Sequence, residues 1–166
     1  MFPKRVGPVR PGPTTDGRPH NRLLAQLPRD EFDRLLPHLN TVPIRLKQVL
    51  QKEGETLRHV YFPNGGVHSI TTVLSDGRMV EVATVGTEGI AGIEAFFNDH
   101  VVAPAQAMVQ MQDTSVVMLG VEAFRAELAC RAAFHEIIGR YAQHMLVQSM
   151  QSTACNALHD VQQRSV

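Results

Sequence analysis

Between Val67 and Gly120 the chain runs in short stretches rich in β-branched residues, VHSITTVL, MVEVATV, AQAMVQMQ and SVVMLG, cut at intervals by Gly, Pro, Asp and Asn. Short strands with turn chemistry between them predict an antiparallel barrel or sandwich. The sharpest break, Ser75-Asp76-Gly77-Arg78, predicts a hairpin, because Asp-Gly accepts the positive φ that a tight reversal demands. Gly86-Thr87-Glu88-Gly89 and then Gly92 interrupt the stretch that follows. Glycines so placed turn the corners of a barrel or let the backbone approach a ligand closely.

On either side the periodicity changes. NRLLAQLPRDEFDRLLPHL carries leucines and Phe32 at spacings of three, four and five, which predicts a helical pair. Asn21 is placed to cap the first helix, and Pro28 to end it or open the second. TVPIRLKQVLQKEGETLRHVYFP reads as strands broken at Pro43, at 52–55 and at 63–66, with Val60-Tyr61-Phe62 as a buried strand. Gln112-Asp113-Thr114 predicts a hairpin-like reversal from AQAMVQMQ into SVVMLG, and VEAFRAELA a short helix ending near Cys130. Beyond it Phe134, Ile137, Ile138, Tyr141, Met145, Leu146 and Met150 recur at helical spacing. Some 24 residues of helix would extend roughly 36 Å, longer than a roll covers alone, so part of the apolar face is expected to meet a second chain. Met1 to His20 hold five of the ten prolines and no apolar period, which predicts a tail that cannot offset its chain entropy by burial.

With 166 residues and 43% apolar content the chain can close one core of ordinary size without covalent staples. Lys+Arg and Asp+Glu number 16 each and the basic residues are scattered, so no concentrated patch is present to grip a duplex. No apolar run reaches membrane length and the N-terminus lacks a signal-peptide core, which predicts a soluble cytoplasmic protein with no membrane partner. Two cysteines, Cys130 and Cys155, give no disulfide framework and cannot supply the four thiols of an iron–sulfur cluster. Histidines 59, 68 and 100 fall in or near strands and 135, 144 and 159 at helical positions, but no His-x-His with a carboxylate marks a metal site. Nothing singles out one of them as a haem ligand, so no cofactor is named. Neither a Gly-x-Ser-x-Gly elbow nor a Cys–His motif is present, and no catalytic residue is assigned.

The stretches RHVYFPNGGVHSI, SDGRMVEV, VGTEGIAGIEAFF and RYAQHMLVQSMQSTACNALHDVQQR, in that order between about Asn21 and Arg164, resemble the effector domain of the Crp/Fnr family of bacterial transcription regulators. The resemblance implies an α+β, mainly β fold: an antiparallel β-roll of the cyclic-nucleotide-binding or cupin-like jelly-roll type, with N-terminal helices and a long C-terminal dimerisation helix. It divides the chain into a tail (1–20), a roll with flanking helices (21–130), a dimerisation helix (131–154) and a hinge (155–166). Relatives continue from the hinge into a DNA-reading helix-turn-helix, expected to lie outside this sequence and to be the only route to DNA.

In cyclic-nucleotide-binding members, a glutamate after a turn glycine accepts from the ribose hydroxyl, and an arginine opening the next strand neutralises the cyclic phosphate. Here Gly92 stands at the glycine, Ile93 at the glutamate and Ala105, preceded by Pro104, at the arginine, while Glu94 comes one residue late. A desolvated phosphate without its cation is heavily penalised, so cyclic AMP is not the expected effector. The implied pocket comprises Glu88, Gly89, Ile90, Gly92, Ile93, Ala105, Gln106 and Ala107, closed by Gln148, Ser149 and Ser152. The implied homodimer interface comprises Phe134, Ile138, Tyr141, Met145 and Gln148. An unidentified small molecule is the expected effector. Two alternatives stand beside this: a stand-alone binding or interaction module that pairs with full-length relatives, and, less expected, a cupin-like metalloenzyme.

Overall fold

The computed structural model describes residues 17–98, 101–111 and 115–158, with side chains as far as Gln151. Among the described residues seven strands form two antiparallel sheets. One has three strands in the order β1 (Leu39–Pro43), β7 (Ser115–Gly120), β3 (His59–Pro63). The other has four, in the order β2 (Val49–Gln51), β6 (Gln106–Met111), β4 (Val67–Val73), β5 (Met79–Val85). The mainly β roll expected from the sequence is the architecture found.

Alternation along the three-stranded sheet explains why it lies in the middle. Val60, Phe62, Val117 and Leu119 join Leu24, Phe32, Leu35, Phe124, Phe134 and Ile138 in a core between this sheet and the helices. Their neighbours Tyr61 and Val116 pack instead with Val42, Ile44, Leu50 and Val109 in a smaller core between the two sheets. One strand face thus serves the helices and the other serves the roll, the consequence of a two-residue side-chain period.

β4 and β5 form the expected hairpin, with Leu74 N–H donating to Arg78 O and Gly77 N–H to Leu74 O. Only Gly77 takes positive φ, +83°, while Asp76 accepts from the Arg78 N–H. The reversal expected at residues 112–114 lies outside the described residues, but its flanking strands are not hairpin partners. β6 pairs with β2 and β4, whereas β7 pairs with β1 and β3, so the chain crosses between sheets there. Two strands that alternate alike look the same in sequence whichever sheet each joins, and the reading as a hairpin is corrected on that ground.

The helices are α1 (Arg22–Ala25), α2 (Arg29–Leu35), α3 (Val121–Cys130) and α4 (Ala132–Leu158). Asn21 caps α1 as expected, accepting from the Leu23 and Leu24 N–H groups. Of the expected tail, residues 1–16 lie outside the described residues. Arg18 is fastened, donating to Ala25 O and Leu27 O and lying 5.1 Å over the Phe32 ring. α4 has 27 residues, about 40 Å of helix, and continues through Cys155 to Leu158. Its first turn is capped from a distance: the Glu31 carboxylate of α2 accepts from the Ala133 and Phe134 N–H groups.

Candidate functional site

The glycine-rich segment after β5 forms a turn, then a 3-10 helix (Ile93–Phe96), and returns as an extended stretch into β6. Gly92 has φ +87°, and a Cβ there would lie 3.2 Å from the His59 carbonyl oxygen, so only glycine fits without strain. The adjoining Ala91 exchanges backbone hydrogen bonds with Tyr61, both 2.9 Å, which ties the turn to β3. Asn21 Nδ2 donates to Gly89 O at 2.8 Å and to Pro63 O, and Arg22 N–H donates to Thr87 O, which ties it to α1. The segment is therefore a built platform fixed at both ends.

α4 closes over this platform through Tyr141. A Cβ on Gly89 would fall 2.5 Å from the Tyr141 hydroxyl, so the missing side chain is what lets the ring approach. Burial pushes the Tyr141 hydroxyl up to about 12, against the opposing effect of the Ile90 backbone N–H bonded to it, with the charges of Glu88 and Glu94 raising it further. The Phe96 ring lies 5.3 Å from His135 of α4, a second contact between the 3-10 helix and the long helix.

The residues expected around the pocket divide into two groups. Gly89, Ile90, Gly92, Ala105 and Ala107 are buried, Ile93 and Gln106 are half-buried, and Glu88 is exposed with its carboxylate turned back onto the Gly86 N–H. Gln148 and Ser149 are exposed about two turns beyond Tyr141, not gathered at the platform, and the Ser152 side chain lies outside those described. Of the residues expected at a dimer interface, Phe134 and Ile138 are spent on the chain's own core at 2% and 0% exposure. Tyr141 is buried beside them, Met145 is half-buried, and Gln148 is exposed. The apolar surface open on α4 is instead Leu146, Val147 and Met150.

Gln51, which sequence reasoning passed over, belongs to the site. It pairs with Ala107 across β2 and β6, and its Nε2 donates to the carbonyl of Ala105, the residue at the expected arginine position. It also forms a wall of a cavity of about 220 Å³ between β2 and β3, together with Leu50, His59 and Tyr61, with Lys52 and Arg58 at its rim. His68 was read only as one of several histidines. It is fully buried opposite Val109, and burial lowers its pKa to about 4, which leaves it neutral near pH 7. Glu94, one residue past Ile93, has a buried carboxylate oxygen with no partner among the described residues, and burial raises its pKa. The four strands of the β2–β6–β4–β5 sheet contain no Lys or Arg, and no group of metal-ligating side chains is found among the described residues. The described helices include none long and apolar enough to cross a membrane.

No curated protein matches the chain by sequence. Solved structures similar to it include the N-terminal domain of a transcriptional regulator from Streptomyces coelicolor (TM-score 0.57, 19% identity, 86% of this chain and 96% of that one). A c-di-GMP-responsive global regulator from Xanthomonas campestris is similar at TM-score 0.70 and 18% identity, over 82% of this chain and 68% of that one. The regulatory subunit of a cAMP-independent protein kinase A from Trypanosoma brucei, a mutant bound to cAMP, is similar at TM-score 0.65 and 18% identity. There the match covers 81% of this chain and spans under half, 48%, of the other. At such identities these likenesses speak for the fold alone. The family model described as cyclic nucleotide-binding domain matches residues 41–129, more than half of the 166. That match takes in the roll, the Gly92 turn and most of α3, and on it the chain belongs to the cyclic nucleotide-binding domain family.

Proposed function

We propose that this chain is the effector-sensing and dimerisation module of a Crp/Fnr-type transcription regulator, and that cyclic AMP is not its effector. The observation that carries the sensing role is the seat of Tyr141 against Gly89 and Ile90. A molecule that displaces the glycine turn must displace the ring, and with it the helix that leads to whatever follows. Two discrete packings at that contact are enough to convert occupancy into a helix movement. The role is one of binding and signalling, with no catalytic step.

Against cyclic AMP stand Ile93 and Ala105, which offer neither the carboxylate for a ribose hydroxyl nor the cation for a cyclic phosphate. That proteins of this fold need not answer to cyclic AMP is supported by the Xanthomonas protein, described as responsive to c-di-GMP, and by the kinase subunit described as cAMP-independent. Dimerisation is supported by the exposed Leu146, Val147 and Met150 on one long helix, an apolar surface suited to two-fold pairing. Titration calorimetry with cyclic AMP and cyclic GMP is the test of the effector reading. No heat is expected at micromolar concentrations, and micromolar binding of either nucleotide would overturn it.

A further inference from the structure

The face of the three-stranded sheet that looks towards the helices is longer than the helices cover. Val117 of β7 lies opposite Thr41 on β1 and Phe62 on β3, and Val117 and Phe62 belong to the core shared with the helices. Ser115, two residues before Val117, comes to the same face, and Asn64 continues the pairing past β3 through its N–H to Ser115 O. Over this end of the sheet runs a strap, residues 17–20. Arg18 fastens it to the carbonyls of Ala25 and Leu27 and lies over the Phe32 ring. Strap and sheet enclose a cavity of about 310 Å³, walled by apolar Phe32, Leu36 and Val117 and by polar Thr41, Asn64 and Ser115. None of the residues expected around the pocket of the roll lines it.

We propose that this cavity is a binding site in its own right, one that takes a small uncharged molecule with an apolar body and a single oxygen acceptor. Ser115 reads the acceptor. Its Oγ accepts from Asn64 Nδ2 at 3.2 Å, which leaves the hydroxyl hydrogen to be donated elsewhere, and Ser115 lines the cavity. Asn64 is more than nine-tenths buried, so its hold on the serine is sheltered from water. Phe32, Leu36 and Val117 read the apolar body. Leu36, 50% exposed on the turn after α2, forms the open side, and a ligand seated there takes its surface out of water. No carboxylate lines the cavity among the described residues, and its arginine is engaged with two carbonyls and a ring, so neither a cation nor an anion is offered a free counter-charge. The volume of about 310 Å³ is roughly twice the ~150 Å³ that admits benzene, and it suits one ring with a short side chain. The site stands apart from the sensing role, since the roll's interior lies on the opposite face of β3 and β7, where Tyr61 and Val116 pack.

Thermal melting with three probes of similar shape tests this: acetophenone, which has the acceptor, ethylbenzene, which lacks it, and phenylacetate, which is charged. At about 1 mM, acetophenone is expected to raise the melting temperature by about 2 °C, and the other two by less than half as much. Ser115→Ala is expected to bring acetophenone down to the level of ethylbenzene. Thr41→Trp, at an exposed position on the edge strand β1, is expected to fill the cavity and abolish the shift with every probe. Leu36→Asn changes a side chain that the core does not hold, so it is expected to fold as the parent does and to cut the acetophenone shift at least in half. No shift with acetophenone, a shift as large with ethylbenzene or phenylacetate, or a shift that survives Thr41→Trp overturns the proposal. The sensing role is untouched by each of these outcomes, because the calorimetry with cyclic nucleotides reads a different pocket.

Discussion

Gly89 and His68 show how single positions carry this site. A methyl group on Gly89 would meet the Tyr141 hydroxyl at 2.5 Å and its ring carbon at 2.9 Å, so Gly89→Ala must push the ring or the turn aside. The expected loss is about 1–3 kcal/mol, read by urea unfolding, with Tyr141→Phe restoring part of it in the double variant. His68 makes stability depend on pH. Its pKa is about 4 when folded and near 6.5 when unfolded, so the unfolded chain binds more protons between those values. Its contribution is intact above pH 6.5 and falls away towards pH 4, by about 3 kcal/mol in all. Unfolding free energies measured across that window should lose this slope in His68→Leu. The sequence displayed both residues without their meaning. Gly89 looked like one corner glycine among several, because its need for space is imposed by a tyrosine 52 positions later. His68 looked like any of eight histidines, because burial is not written beside a residue.

Among the elements, α1 is too short to persist by its own hydrogen bonds and is held by what Asn21 reaches. That side chain caps the helix with Oδ1 and holds the carbonyls of Pro63 and Gly89 with Nδ2. Asn21→Ala removes a cap and leaves two buried carbonyls short, and about 2–4 kcal/mol should be lost in chemical denaturation. Asn21→Asp keeps the cap but sets a buried carboxylate oxygen against the same two carbonyls, so it should lose at least as much as Asn21→Ala. Elements of this kind were legible where local chemistry decides them: the Asn21 cap, the Asp76-Gly77 hairpin, the amphipathic α3 and the long α4. The pairing of β6 and β7 was not, since strand partnership is settled by which sheet each strand completes. Gln51 stayed hidden for the same reason, as its tie to Ala105 spans 54 residues and no motif announces it.

For the molecule as a whole, α4 divides its apolar residues between two duties. The half nearer its start, Phe134, Ile138 and Tyr141, closes the chain's own core, while Leu146, Val147 and Met150 stay exposed. If those three join two copies, Leu146→Glu with Met150→Glu should halve the mass seen by light scattering at micromolar concentration and leave the monomer's melting cooperative. A parent chain that is monomeric under the same conditions would remove the dimerisation role. Spacing alone could not make this division: the heptad-like run is continuous in the sequence, and only the placement of the roll and α2 decides where the chain's own claim on the helix ends.

β5 is one of the two edge strands of the four-stranded sheet. β5 pairs with β4 alone and leaves Met79, Val80 and Val82 in water, so its far rim of amide groups is a template on which a foreign strand could add. Glu81, seated among those apolar residues, and the slipped register opposite Ile70 and Thr71 make that rim charged and uneven. A carboxylate in the middle of that apolar run, accepting from the Ser69 hydroxyl on β4, works against self-templating along the rim.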